Sequence, residues 1–186
     1  MRKLLVFNQV SLDGFIADAG GDMRWAHKMD AEWNAFASEN AKGGGELLFG
    51  RVTYEMMASY WPTPMAAKNS PVVAQQMNSL PKVVFSRTLD KASWNNTKLV
   101  KGDVVEEVRK MKNTPGPGMV ILGSGSIVSQ LAQAGLIDEF QLALNPIALG
   151  KGKAMFDGIK DKLSLKLKTS RTFGNGNVFL SYERIA

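Results

Sequence analysis

The run Met119-Val-Ile-Leu-Gly-Ser-Gly-Ser126, followed by the helical pattern Ile127 to Ala134, constrains the fold more than any other segment. Met119 to Leu122 have the length and apolar character of a buried strand. Gly-Ser-Gly-Ser stops that strand, and a helix begins at once. Strands that feed directly into helices build α/β sheets, because parallel neighbours need a crossover. Such a turn also leaves backbone N–H groups unpaired at the positive end of a helix dipole, where a phosphate or pyrophosphate binds well. The segment lacks the third Gly of the dinucleotide fingerprint and the Gly-Lys-Ser/Thr of a P-loop. Taken alone it reads equally as a phosphate site and as a tight strand–helix turn with Ser126 as N-cap.

The rest of the chain agrees with a layered α/β architecture. Leu4 to Val10 is a β-rich run that ends at the turn Ser11-Leu12-Asp13-Gly14. Asp30 to Ala41 carries Trp33, Phe36 and Ala37 on one helical face, with Asp30 placed to cap it. Glu46 to Phe49 is a short strand, and Gly50-Arg51-Val52-Thr53 turns it into a helix over Tyr54 to Tyr60. Pro62 and Pro64 are expected to stop that helix. A helix over Val72 to Leu80, strands at Lys82 to Ser86 and Leu99-Val100, and a helix over Val104 to Lys112 follow. After the glycine turn, Ile137 to Leu144 alternates as a strand. Leu163 to Arg171 and Asn177 to Glu183 read as a hairpin joined by Phe173-Gly174-Asn175-Gly176. The prediction is one domain: a mixed, mostly parallel sheet flanked by helices on both faces, with a C-terminal antiparallel hairpin.

Composition narrows the chemistry. The chain of 186 residues contains no Cys, which excludes disulfides, thiolate metal sites and Cys nucleophiles. Its one His, His27, argues against a His-based metal centre or catalytic triad, so no metal is expected. The net charge of +6 is spread along the chain, without a basic stripe interleaved with aromatics. Nucleic acid is therefore not an expected partner, whereas a phosphorylated small molecule suits this charge. No apolar stretch reaches the length of a membrane span, and Asn8, Gln9 and Asp13 interrupt the apolar start. A cytoplasmic protein without membrane contact is expected.

Three strand ends gain meaning when they are taken together: Gly50-Arg51-Val52-Thr53, Ser86-Arg87, and Gly123-Ser124-Gly125-Ser126. Ligands of open α/β sheets bind beyond the carboxyl ends of the strands. Two of the three ends start helices, and two carry an Arg whose fork matches a phosphate. A nucleotide with a pyrophosphate and a separate ribose phosphate uses all three. That pattern points to NADP(H) rather than NAD(H), whose ribose prefers an acidic partner.

These segments recur in a known order. Val-Ser-Leu-Asp-Gly-Phe-Ile-Ala (10–17), Leu-Phe-Gly-Arg-Val-Thr-Tyr-Glu (48–55), Val-Phe-Ser-Arg (84–87), Leu-Gly-Ser-Gly-Ser (122–126) and Gly-Leu-Ile-Asp-Glu-Phe (135–140) precede Pro146 and Leu149-Gly-Lys-Gly (149–152). The set resembles the dihydrofolate reductase-like superfamily, in particular its branch similar to the reductase domain of riboflavin biosynthesis. The resemblance spans essentially the whole chain. It implies that Gly50, Arg51 and Thr53 hold cofactor phosphates, and that Ser86 and Arg87 bind the adenosine 2′-phosphate. Gly123, Ser124, Gly125 and Ser126 would bind the pyrophosphate. Gln9, Ile16 and Ala17 would line the nicotinamide pocket, largely through backbone groups, with the loop 19–22 as a lid. It also implies a homodimer, and the late strands Glu139 to Leu144 and Val178 to Tyr182 are apolar enough to form a subunit interface.

On the substrate side the pattern is thinner. Trp25 and Asp30 have the spacing of the Trp and acidic residue that meet the pteridine in dihydrofolate reductases, which makes Asp30 the candidate catalytic and substrate-binding acid beside its capping role. Asn8, a polar residue inside the first strand, must point into the cleft or find a buried partner. Trp61 either walls the substrate pocket or plugs a helix end. Lys82 is the nearest cation to the place where a folate tail is bound. Leu122 replaces the acidic residue of the riboflavin-pathway enzymes. The resulting expectation is NADPH-dependent hydride transfer to a small heterocyclic (pterin- or pyrimidinone-like) or other C=N or C=O compound. The activity would resemble that of 5-amino-6-(5-phosphoribosylamino)uracil reductase or dihydrofolate reductase. The alternative is an NADP(H)-binding protein without turnover.

Overall fold

Strand–helix alternation over most of the chain becomes a parallel sheet, and one late strand reverses it. The computed structural model describes residues 1–27 and 30–185. In chain order the elements are β1 (Leu4–Val10), β2 (Phe15–Ala17), a 3-10 turn (Arg24–Ala26), α1 (Ala31–Lys42), β3 (Glu46–Gly50), α2 (Arg51–Tyr60), α3 (Pro64–Asn69), α4 (Pro71–Ser79), β4 (Lys82–Phe85) and β5 (Thr97–Val100). They continue with α5 (Val104–Asn113), β6 (Met119–Leu122), α6 (Gly125–Gln133), β7 (Glu139–Leu144), β8 (Lys153–Ala154), β9 (Leu165–Thr172) and β10 (Val178–Arg184). The main sheet runs β5-β4-β3-β6-β1-β7-β10-β9. β5 through β7 are parallel, and β10 runs antiparallel to both β7 and β9. The carboxyl ends of six strands therefore lie along one edge.

The period of two along each strand divides the core. Leu4 and Val6 of β1, Leu48 of β3 and Ile121 of β6 pack on one face with Val108 of α5 and Val128 and Leu131 of α6. Leu47 and Phe49 point the other way, to Tyr54 of α2, Met77 of α4 and Trp94. On that second face Phe7 and Phe179 meet Trp33 and Phe36 of α1 and Phe173 of the hairpin loop. Trp33 and Phe173 pack edge to face with centroids 5.0 Å apart, a favoured aromatic geometry.

Several local expectations change. α2 begins at Arg51 rather than at Tyr54, with Gly50 as its N-cap. Pro64 does not only end a helix. It opens α3 at the first helical position, where its missing N–H costs nothing, while the Thr63 hydroxyl accepts from Ala66 N–H. β8 carries no signal in a two-residue stretch, yet it pairs with β2. α6 starts at Gly125, so Ser126 is not its N-cap; Ser124 holds that position in a left-handed conformation. The stretches expected at a subunit contact, 139–144 and 178–182, lie inside the sheet with both edges paired, leaving only their faces to meet a second copy. Asp138 and Glu139 are structural. Asp138 takes the Leu4 N–H and pairs with Lys112, while Glu139 accepts from Lys168, Gln141 and Ser181. Among the described residues no helix is long and apolar enough to cross a membrane.

Candidate active site

β4, β3 and β6 are neighbours, so the three strand ends lie side by side. The glycine turn between β6 and α6 is wired from three other elements. Gly123 and Ser124 both take positive φ, +60° and +56°. Asn8, buried on β1, accepts the Gly123 N–H at 2.6 Å and donates to the Gly123 carbonyl at 3.3 Å. Thr53 Oγ1 accepts the Ser124 N–H at 3.1 Å. Ser124 Oγ accepts the Gly50 N–H at 2.8 Å and donates to the Leu122 carbonyl at 3.2 Å. Gly123 also has no room for a side chain, since a Cβ there would sit 2.7 Å from Thr53 Oγ1.

This wiring changes the donor set. The N–H groups of Gly50, Gly123 and Ser124 are already paired, and the Thr53 and Ser124 hydroxyls serve the turn itself. These groups shape the site rather than hold a phosphate with those atoms. The donors left over are the N–H groups of Gly125 and Ser126 in the first turn of α6, and those of Val52 and Thr53 in the first turn of α2, where Arg51 N–H belongs to the β3–β4 ladder. Two helix N-termini thus converge on one strip of the sheet edge.

Arg51 stands at the start of α2, paired with Glu55 at 3.0 Å and well exposed. It lines an open cleft of about 580 Å³ with Thr88, Leu89, Asp90 and Lys91. Ser86 Oγ accepts the N–H groups of Thr88 and Leu89, which supports the turn that carries the exposed Arg87. Arg87 lines a second depression of about 280 Å³, with Gly102, Asp103, Val104 and Gln130. The two arginines therefore flank β4 in separate hollows rather than converging on one point, and the Ser86 hydroxyl is used within its own turn.

A family model of the RibD C-terminal domain matches residues 2–179. The chain belongs to the RibD C-terminal domain family. It is 30% identical over 182 residues to the uncharacterized protein YyaP of Bacillus subtilis (strain 168), covering 97% of this chain and 94% of that protein. Among solved structures it is similar to a putative riboflavin biosynthesis protein from Shewanella sp. PV-4, with a TM-score of 0.75, 26% identity and 99% of each chain covered. It is also similar in fold to a diaminohydroxyphosphoribosylaminopyrimidine deaminase/5-amino-6-(5-phosphoribosylamino)uracil reductase from Thermotoga maritima. There the TM-score is 0.68 at 14% identity, and the match spans 99% of this chain and 57% of that longer one. The dihydrofolate reductase-like branch read from the motifs is thus the family found.

In this RibD C-terminal domain, Ile16 and Ala17 of β2 are buried beside the glycine turn. A Cβ on Gly125 would meet Ile16 Cδ1 at 3.5 Å and the Ala154 carbonyl of β8 at 3.4 Å, so the small β2–β8 sheet covers the start of α6. Gly152 has φ +158°, and a Cβ there would lie 2.3 Å from the Ala17 carbonyl; only Gly allows this approach. Asp13 ties the two loops together. Its carboxylate accepts from Ser11 Oγ at 2.7 Å, Leu149 N–H at 3.0 Å and Gly150 N–H at 2.7 Å. Those three bonds, the Ser11 hydroxyl first, hold its pKa at about 2. The 19–22 loop is folded on itself around Asp18, which accepts from Gly20 and Asp22 N–H.

The expected substrate residues separate. Asp30 caps α1 by accepting Trp33 N–H at 2.7 Å through Oδ1. Its Oδ2 lies beside the hairpin loop, 4.0 Å from where a Gly174 Cβ would be. Asn8 takes the buried-partner option, so it orders the glycine turn and is not a substrate contact. Trp61 packs into the cluster around Phe49 and Tyr54, with its N–H on Met57 Sδ at 3.0 Å, and thus plugs a helix end. Lys82 is buried at the opposite edge of the sheet, where it donates to the Leu80 and Asn78 carbonyls that end α4. It cannot reach a ligand at the carboxyl edge. Leu122 packs partly buried against the second core cluster. The sequence reading missed Asn145, which is 1% exposed at the end of β7 and donates to Gln9 Oε1 at 2.9 Å. Its only local sign, Asn before Pro146, reads as an ordinary turn.

Proposed function

We propose that the protein is an NADPH-dependent reductase of a small heterocyclic or other C=N- or C=O-containing compound. The observation that carries this reading is the pair of helix N-termini that follow adjacent strands: the N–H groups of Gly125 and Ser126 beside those of Val52 and Thr53. Such paired donors fit a pyrophosphate. Arg87, in its own hollow, would hold the outlying ribose phosphate, while Arg51, with Lys91 in the same cleft, would face the pyrophosphate. The bound cofactor supplies a hydride from the nicotinamide C4. This chain's residues would place it: the glycine turn under the phosphates, and Ile16 and Ala17 against the ring, with β2 and β8 excluding water from the start of α6. Asp30, through Oδ2, is the side chain available to bind substrate or pass a proton at α1.

Binding of NADPH followed by fluorescence tests the reading. Micromolar affinity is expected for the wild type, weakened by about tenfold or more in Arg51→Ala or Arg87→Ala, since each removes a charge-assisted phosphate contact. Absence of NADPH binding at micromolar concentration removes the proposal. A second reading, cofactor binding without turnover, draws on the internal engagement of Asn8 and Trp61, which leaves few side chains for a substrate. Tight NADPH binding with no oxidation across pterins, pyrimidinones, quinones and nitro compounds would favour it.

A further inference from the structure

Gln9 and Asn145 form a pair whose polarity is set by the backbone around it. The Asn145 amide nitrogen lies 3.0 Å from the Ala143 carbonyl and 3.4 Å from the Val10 carbonyl, as well as 2.9 Å from Gln9 Oε1. A flipped Asn145 would set its own oxygen against two carbonyl oxygens, a worse arrangement than the present one, in which its Oδ1 is buried without a partner. The Gln9 atom that faces Asn145 must then be an acceptor. Its Oε1 is spent there, and its NH2 is turned away. Among the described residues that NH2 has no hydrogen-bond partner. Gln9 is half-buried near the carboxyl end of β1, on the face that carries Phe7 and opposite to Asn8. Its register partner is Ala143 of β7, which packs with Trp33 and Phe173 on the α1 face of the sheet.

We infer that Gln9 is a ligand-binding residue that donates its side-chain NH2 to a ligand carbonyl oxygen at the carboxyl end of β1, and that Asn145 is the positioning residue that makes it a donor. The resemblance that places Gln9 near the nicotinamide assigns the contact to backbone groups; the side-chain contact and the role of Asn145 are new. The ligand chemistry is an amide-type or ketone oxygen, belonging either to the nicotinamide carboxamide or to the hydride acceptor. The inference rests on the reductase reading for the identity of that ligand, but not for the polarity of Gln9. The site therefore selects compounds with a carbonyl acceptor at this position and disfavours those with an N–H there, because a donor facing a donor leaves both unpaired.

The test uses the full-length protein, NADPH, 2′-phospho-ADP-ribose (the same phosphates without nicotinamide) and uracil as a cyclic-amide probe. Affinity is read by fluorescence, and the Gln9 side-chain NH2 signal, assigned by its loss in Gln9→Glu, is followed by 15N NMR. If the oxygen belongs to nicotinamide, Gln9→Glu weakens NADPH about tenfold and leaves 2′-phospho-ADP-ribose unchanged. If it belongs to the hydride acceptor, NADPH affinity is unchanged, and uracil shifts the Gln9 NH2 signal of the wild type with an affinity that Gln9→Glu lowers. Asn145→Leu lowers the same affinity, but adds nothing in the Gln9→Glu background; a purely structural role for Asn145 would add its own loss there. Should Asn145→Leu fail to fold, the half-buried Gln9 variants still decide. A Gln9 NH2 signal unmoved by both NADPH and uracil, or Gln9→Glu indistinguishable from wild type with both, overturns the inference. If the wild type binds no NADPH, the cofactor reading falls by itself, and the uracil arm alone rules on Gln9.

Discussion

Two regions share the carboxyl edge of the sheet, and they are built in opposite ways. At the glycine turn, buried side chains from β1 and α2 grip the backbone, and the Ser124 hydroxyl bridges back to β3. Every group is spent on shape, and what faces outward is backbone N–H. At the start of α1 the contacts are exposed: Glu32 accepts from Arg171 at 3.3 Å and from Gly174 N–H at 3.0 Å, joining the helix to the hairpin loop. Arg171 lies over the Phe173 ring at 4.6 Å. Buried hydrogen bonds left half-made are costly, whereas exposed ion pairs contribute little. The first region is thus rigid and suited to an invariant phosphate group. The second can be rebuilt at small cost.

The largest effect that tests this contrast is Gly123→Ala. A left-handed φ and a 2.7 Å clash with Thr53 should together cost about 3 kcal/mol, seen as a lower urea midpoint. A variant as stable as wild type would mean that the turn yields, and the contrast fails. Asn8→Ala comes next. It leaves the Gly123 N–H and carbonyl without their buried partner and should cost about 2 kcal/mol, with weaker NADPH binding alongside. Loss of stability without any loss of NADPH affinity would separate the turn from the cofactor.

A smaller effect comes from the far edge, where buried polarity serves the fold alone. Burial lowers the Lys82 pKa from 10.5 to about 8. Between about pH 8 and pH 10.5 the unfolded chain still binds the proton that the folded chain has released, so stability rises with pH across that window. Urea midpoints from pH 7 to 10 should show the rise, and Lys82→Met should flatten it while leaving NADPH affinity unchanged. An equal slope in both proteins rules Lys82 out as its source. The smallest effect belongs to the exposed region. Glu32→Gln should leave the unfolding midpoint where it is, because its partners are solvated. A midpoint shift as large as that of Asn8→Ala would erase the distinction between the two regions.

The legibility of each region follows the range of its interactions. Asp30 as the cap of α1, the strand at Met119 to Leu122 and the positive-φ glycine turn are written in neighbouring residues, so hydrophobic period and turn chemistry suffice to find them. The motif order was equally legible, and with it the family. Local signals found the end of α2 before Pro62 and Pro64 but missed α3, because a proline that ends one helix can also open the next. They had no means to see β8, whose two residues become a strand only by pairing with β2.

The sequence by itself determined a mostly parallel α/β sheet and its glycine turn, because both depend on local period and spacing, and its motifs carried the resemblance to its family. Only the tertiary structure decided which polar groups of the site remain free. Asn8, Thr53 and Ser124 are drawn inward by partners 71 to 115 residues away, and Asn145 reaches 136 residues back to occupy the Gln9 side-chain oxygen. A side chain's chemistry is local, but whether it is already satisfied depends on what the fold brings beside it.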